Sequence, residues 1–315
     1  MIDGGELALL RQSLRKTIES HNGAGLDTAL EELGWPEALA ADARAAVSVL
    51  FELQGAANVT SSALSWVLAH ALGYGGAAVL LPVPGGWTAP AALEGGRLRV
   101  RGVATASLGA CETALIVARA GGSHLALEVQ VATLTRRAVG GADPALGLAE
   151  VAGEAGSWAE LGRADWRAAV ALGQLALGHE LVGASRRMLE LAREHALARV
   201  QFGRPIAMFQ AVRHRLAEAL VAIEAAAAML DAAWPDHEPR TAAMAKATAG
   251  RAARVTARHG QQVLAGIGFT TEHAFHRYLR RILVLEQLLG GTQSLTRELG
   301  REILARRQLP ALLPL

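Results

Sequence analysis

The sequence predicts a mostly α-helical protein with a small β region set between two helical ones. Three observations predict it. Apolar residues recur at helical spacing from about residue 5 to residue 74. Between about 78 and 151, Gly and Pro become frequent and short β-type segments alternate. From about Trp158 onward, long helical stripes return. The expected organisation is a helical domain over 1–77, a small β domain over 78–155 and a helical bundle over 156–315.

In the first region Leu7, Leu10, Leu14 and Ile18 form one apolar stripe, and Leu26, Leu30 and Leu33 form another. Gly34-Trp35-Pro36 punctuates them, and runs at 43–53 and 62–72 follow. In the second, RLRVRGV at 97–103, TALIVAR at 113–119 and HLALEVQV at 124–131 read as strands. Gly-Gly pairs at 85–86, 95–96, 121–122 and 140–141 supply turn positions where a positive φ is cheap. In the third, helices are expected over 164–199, 206–233, 239–265, 274–289 and 292–307. Their short connections argue for an antiparallel bundle. Pro235 and Pro239, in the loop 233–240, end one helix and open the next.

With 315 residues, 51% of them hydrophobic, the chain can bury one large core or a few modest ones. A net charge of +2 does not describe a polyanion binder. The pI near 9.1 comes from scattered arginines, with no basic stripe interleaved with aromatics, so no nucleic-acid partner is expected. Cys111 is the sole cysteine, which excludes an internal disulfide and a Cys-based zinc cluster. His179, His273 and His276 lack metal-ligand spacing. The N-terminal stretch is not a signal peptide, and the apolar run near 75–84 is too short and Gly/Pro-rich to span a bilayer, so a soluble, cytoplasmic protein is expected.

The break RVQFGRPIAMFQ at 199–210 demands more than a helix connection needs. A glycine and a proline suffice to turn the chain; an aromatic, two arginines and two amides do not follow from that task. This stretch resembles a hallmark of the acyl-CoA dehydrogenase family, Arg-x-Gln-Phe-Gly-x-Pro-Ile-x-x-x-Gln. QQVLAGIGFTTEHAFHRYLRR at 261–281 resembles that family's Gln-x-x-Gly-Gly-x-Gly-Phe segment, with Ala265 in place of the first glycine, and LLGGTQSLTRELGREIL at 288–304 resembles its closing helix. The resemblance covers the C-terminal half; the N-terminal half agrees in outline. It implies the family fold: an N-terminal helical domain, a central β domain and a C-terminal four-helix bundle. It also implies FAD as cofactor, with Arg199, Phe202, Gly203, Gln210, Gln262, Gly266 and Thr292 reaching the FAD held by a neighbouring subunit. An Arg fork pairs with pyrophosphate, amides bond phosphate and ribose, and Gly266 allows close backbone approach.

In the family a carboxylate removes a proton from the acyl-CoA α-carbon while hydride leaves the β-carbon for the flavin. The position that matches the usual base is Gly290, and the alternative site on the first bundle helix falls near Gly173, beside Gln174. Neither is an acid. Glu180 and Glu286 lie a turn or two away and read as solvated or structural. The family's flavin-ring segments have no match between 75 and 108, where Trp87-Thr88 is a faint echo. The chain therefore keeps what reaches a neighbour's FAD and lacks what holds its own. It resembles the shortened, base-lacking subunit of heterotetrameric acyl-CoA dehydrogenases that act on steroid-derived CoA thioesters in actinobacteria. That implies a homologous full-length partner subunit, an acyl-CoA substrate and an electron-transfer flavoprotein as acceptor. Two other readings stay open: a self-sufficient homo-oligomeric flavoenzyme with an unrecognised base, and a non-catalytic scaffold of the same fold.

Overall fold

A computed structural model describes residues 4–75, 78–106, 108, 111–235 and 238–307. Residue 77, the last of the expected first domain, and residues 236 and 237 of the 233–240 loop lie outside them. Helices α1 (Gly4–Ser20), α2 (Ala24–Glu32), α3 (Trp35–Ala41), α4 (Ala43–Ala57) and α5 (Ala63–Ala71) form the first region. The Asp42 carboxylate caps α4 by accepting from the Ala45 N–H at 3.0 Å, which answers one of the orphan donors of its first turn.

The β region is a seven-stranded sheet in the order β5-β6-β2-β1-β3-β4-β7. Its strands are β1 (Ala91–Glu94), β2 (Arg97–Ala104), β3 (Thr113–Ala120), β4 (Ser123–Gln130), β5 (Thr135–Ala138), β6 (Ala149–Ala155) and β7 (Trp158–Arg163). All pairings are antiparallel except β1 with β3. The unbroken apolar run of β3 reflects burial on both faces. Leu115 and Val117 point into the core shared with the helices, and Ala114, Ile116 and Ala118 into a second core on the other side of the sheet. The sheet extends beyond the expected limit at 155: β7 pairs with β4, so the segment 158–163 assigned to the bundle is the sheet's last strand.

The bundle comprises α6 (Trp166–Ala198), α7 (Gln210–Ala233), α8 (Pro239–Leu264), α9 (Phe275–Leu285) and α10 (Thr292–Arg306). At 1.5 Å per residue, α6 is ~50 Å long and runs through the centre of the molecule. Where α4 crosses α6 the backbones touch. A Cβ on Gly183 would overlap the Glu52 carbonyl, and a Cβ on Gly55 would overlap that of Glu180. One continuous core joins α1–α5, the inner sheet face and the bundle. No helix among the described residues is long and apolar enough to cross a membrane, and no group of His, Cys, Asp or Glu among them is placed to hold a metal ion.

Candidate functional site

Residues 199–210 fold into a two-residue β-hairpin, β8 (Val200–Gln201) with β9 (Arg204–Pro205), followed by a 3-10 turn at Ile206–Met208. The hairpin tip is Phe202-Gly203, with φ of +52° and +76°. Positive φ at both central positions is the type I′ geometry, which matches the right-handed twist of the flanking strands. Glycine adopts it freely; phenylalanine does so at a cost of about 1–2 kcal/mol. Phe202 is also 92% exposed, with its ring edge-on to Phe209 at 6.0 Å. The Arg204 guanidinium lies over the Phe209 ring at 4.5 Å. A strained aromatic held out in solvent contributes nothing to this chain's own core and marks a contact surface.

Arg199 ends α6 exposed, and its guanidinium has no ion pair among the described residues. Gln210, also exposed, opens α7, whose N-terminus has no side-chain cap and no acid in its first turn. Free N–H groups and the positive end of the helix dipole therefore face outward beside Arg199 and Arg204. The turn that follows the hairpin packs between the end of α6 and the start of α7, against Val263 of α8. Ala192, Ala196 and Val263 form a small core closed by Ile206, Ala207, Val212 and Leu216. Gln262 and Gly266 lie at that same end of the bundle, on the wall of a groove of about 770 Å³ between α8, the turn at Ala265–Phe269 and α9.

Thr292 does not join this group. It begins α10 and packs against Gly250, twelve residues before Gln262 on α8 and hence ~18 Å away along the helix. Its buried hydroxyl faces the Glu286 carboxylate. Gly290, beside it, has φ of +104° and is enclosed. A Cβ there would meet Leu295 Cδ2 at 2.8 Å and Trp87 Cε3 at 3.1 Å. Trp87 is laid over the turn by the loop before β1, where the Gly85 N–H donates to the Gln287 carbonyl at 2.8 Å. The alternative base position is filled as well, since a Cβ on Gly173 would meet Leu289 Cδ1 at 2.5 Å and Leu68 Cδ2 at 2.9 Å. Gln174 donates to the Leu289 carbonyl at 2.9 Å and fixes that leucine in place.

The expected helix over 274–289 stops at Leu285 because Lys246 draws the following turn inward. Its ammonium, 1% exposed, donates to the Glu286 carbonyl at 2.9 Å and to the Gly290 carbonyl at 2.5 Å. Burial pushes its pKa down to about 7, against the nearby Glu286 charge, which acts to raise it. Neither carboxylate considered as a base is solvated. Burial acts to raise the Glu286 pKa, but hydrogen bonds from Arg254 (3.0 and 2.8 Å) and from the Thr292 N–H (3.1 Å) outweigh it, and it stays below the ordinary carboxylate value. Glu180 is 2% exposed on α6, and burial raises it to about 7.

Lys246→Met should cost about 2–3 kcal/mol, because two buried carbonyls lose their donor. The folded Lys246 releases its proton near pH 7, whereas the unfolded lysine holds it to ~10.4. In that window the unfolded chain binds more protons, so the wild type gains stability as pH rises. The methionine variant should lack this gain, and urea midpoints of both proteins at pH 7 and pH 9 measure it. Parallel curves would mean that the lysine is charged in the fold.

The family model described as acyl-CoA dehydrogenase, C-terminal domain, matches residues 162–308. That match spans just under half of the chain. Acyl-CoA dehydrogenase IpdE2 of Mycobacterium tuberculosis is 41% identical over 127 residues, which span 40% of this chain and 40% of that protein. The chain thus aligns with about two fifths of the length of that relative. The fold agreement is wider. The ChsE4-ChsE5 complex from Mycobacterium tuberculosis superposes with a TM-score of 0.79 at 21% identity, over 97% of this chain and 98% of that one. The Tcur3481-Tcur3483 steroid ACAD gives 0.80 at 20% identity, over 96% and 99%. The whole chain therefore has the acyl-CoA dehydrogenase fold.

Three residues outside the acyl-CoA dehydrogenase motifs also shape the site. Arg254 and Arg258 precede Gln262 at four-residue spacing on α8, a stripe readable from the sequence, and both line the groove. Lys246 gave no signal beyond being one of two lysines, since its burial depends on the turn it holds.

Proposed function

We propose that this chain is the base-lacking subunit of a heteromeric, FAD-dependent acyl-CoA dehydrogenase, an oxidoreductase that introduces an α,β double bond into an acyl-CoA thioester, here with a bulky, steroid-derived acyl group. A homologous full-length subunit supplies the catalytic carboxylate and the flavin-ring pocket, and an electron-transfer flavoprotein takes the electrons. The observation that carries this reading is a contrast. Gly173 and Gly290, where a base could stand, are packed over by Leu68, Leu289, Leu295 and Trp87, whereas the hairpin and the α8 groove stay open and carry arginines and amides.

The open residues fit the adenosine-pyrophosphate part of FAD. Arg199 offers a fork to phosphate oxygens, the uncapped α7 start offers N–H donors, and Phe202 offers a flat apolar face. Gln210 and Gln262 are amides at the same bundle end, and at Gly266 no atom of this chain lies within 4 Å of where a Cβ would stand, so a ligand can approach its backbone. FAD, when bound, would supply the hydride acceptor; this chain's residues would hold and orient its nucleotide end and keep water from it. Both structural neighbours are named as two-component assemblies, one of them as a steroid ACAD, which supports the partner and the substrate class. Glu180 and Glu286, each 2% exposed, give the self-sufficient reading no accessible base.

The test is the visible spectrum of the chain purified alone and co-expressed with a full-length homologue that carries the family glutamate. The expected result is a colourless chain and a yellow complex. Arg199→Ala should lower flavin retention in that complex about tenfold or more, the size of one charge-assisted contact. A yellow homo-oligomer from the chain alone, or full retention in the variant, would overturn the assignment.

A further inference from the structure

The groove beside α8 carries a cation that the proposed nucleotide contacts leave unused. Two arginines line it, and their circumstances differ. Arg254 is committed: it makes two hydrogen bonds to the buried Glu286 carboxylate, and its charge is neutralised there. Arg258, one helical turn on, is exposed and has no hydrogen bond or ion pair among the described residues. The adjacent His259 turns toward α7, where it lies 3.0 Å from Glu218. No Asp or Glu lines the groove.

The rest of the groove has two characters. Gln261 and Gln262 present amides, while Leu283 and the 72% exposed Phe269 present apolar faces. The groove also sits at the C-terminal end of α8, where the helix dipole disfavours an anion, so an anion bound there needs an uncompensated cation to offset it. One aromatic face, an aliphatic wall, amides and one unpaired guanidinium together suit a ligand that is aromatic at one end and a phosphate ester at the other.

We infer that Arg258 is a phosphate contact of this groove, and that it makes the groove selective for the diphosphate of an adenine nucleotide over the nucleoside. This rests on the proposed role in holding the nucleotide end of FAD. Arg254 is a positioning residue that braces Glu286 and leaves the anion to Arg258.

Calorimetric titration of the flavin-free complex with the full-length homologue, using ADP and adenosine, tests it. Arg258→Gln should weaken ADP about tenfold and leave adenosine within twofold, with an unchanged melting temperature because the side chain is exposed. Arg258→Lys should recover part of the loss, and the salt dependence of ADP binding should flatten in the glutamine variant. Unchanged ADP affinity in Arg258→Gln, with Gln262→Ala weakening both ligands, would overturn the arginine's role and leave the groove as the nucleotide site. Equal losses for ADP and adenosine in Arg258→Gln would make its effect structural and overturn the inference too. If ADP does not bind, or binds equally well to all variants, the nucleotide reading itself fails along with it.

Discussion

Gly183→Ala should destabilise the chain by about 3 kcal/mol or more, although alanine is the better helix former by ~1 kcal/mol. The added methyl would overlap the Glu52 carbonyl on α4, and a backbone group inside two packed helices cannot swing aside as a side-chain tip can. The helices must separate, and the core that joins them loosens along its length. Gly300→Ala supplies the contrast. It lies in α10 with nothing within 4 Å of the new methyl, so it should stabilise by about 0.5–1 kcal/mol through helix propensity alone. Urea unfolding midpoints of the two variants should therefore move in opposite directions. If both rise together, α4 and α6 do not meet at that crossing.

Glu180→Gln should abolish a loss of stability that the wild type shows between about pH 5 and pH 8. The Glu180 carboxyl is buried in α6, and one of its oxygens has no partner. Burial raises its pKa from 4.5 to about 7, with Arg281 and a hydrogen bond from Gln54 opposing. The folded state thus keeps the proton through a window in which the unfolded chain gives it up. Stability is full below the unfolded pKa and falls as pH rises through 7. At 1.36 kcal/mol per unit, the loss at alkaline pH is ~3 kcal/mol. Glutamine fills the same space without ionising, so the variant should match the wild type near pH 5 and exceed it at pH 8. Because other groups titrate in both proteins alike, the difference between the two curves isolates this carboxyl. A constant difference would mean that Glu180 is ionised in the fold.

The long helices were legible because their apolar stripes repeat over many turns, and β2, β3 and β4 because eight-residue strands show either alternation or a two-sided apolar run. β5 and β7 were not. TRRA and WAELGR lie at the two edges of the sheet with their side chains largely exposed, and an edge strand facing water has no apolar period to read. At the site, the motif at 199–210 announced contact chemistry, but its form did not follow from residue types. Phe202 in a left-handed conformation is a choice that no propensity favours. The sealed state of Gly290 was equally invisible, because it depends on Trp87 arriving from a loop two hundred residues earlier and on Lys246 pulling from α8.

On the proposed assignment, that sealed turn makes the loss of a base a ratchet. In an open pocket a glycine could revert to glutamate in one step, and the first revertant would already carry a carboxylate in place. Here the first step meets Leu295 and Trp87 and a backbone at positive φ, so the revertant is less stable before it can be any more reactive. Room for the side chain needs Trp87 to withdraw, which removes the cover over Gly290 and the carbonyl that accepts from the Trp166 indole at 2.9 Å. Each step back is uphill until several are taken together. On the proposed assignment, dependence on another subunit, once entered, is kept by the interior of this chain.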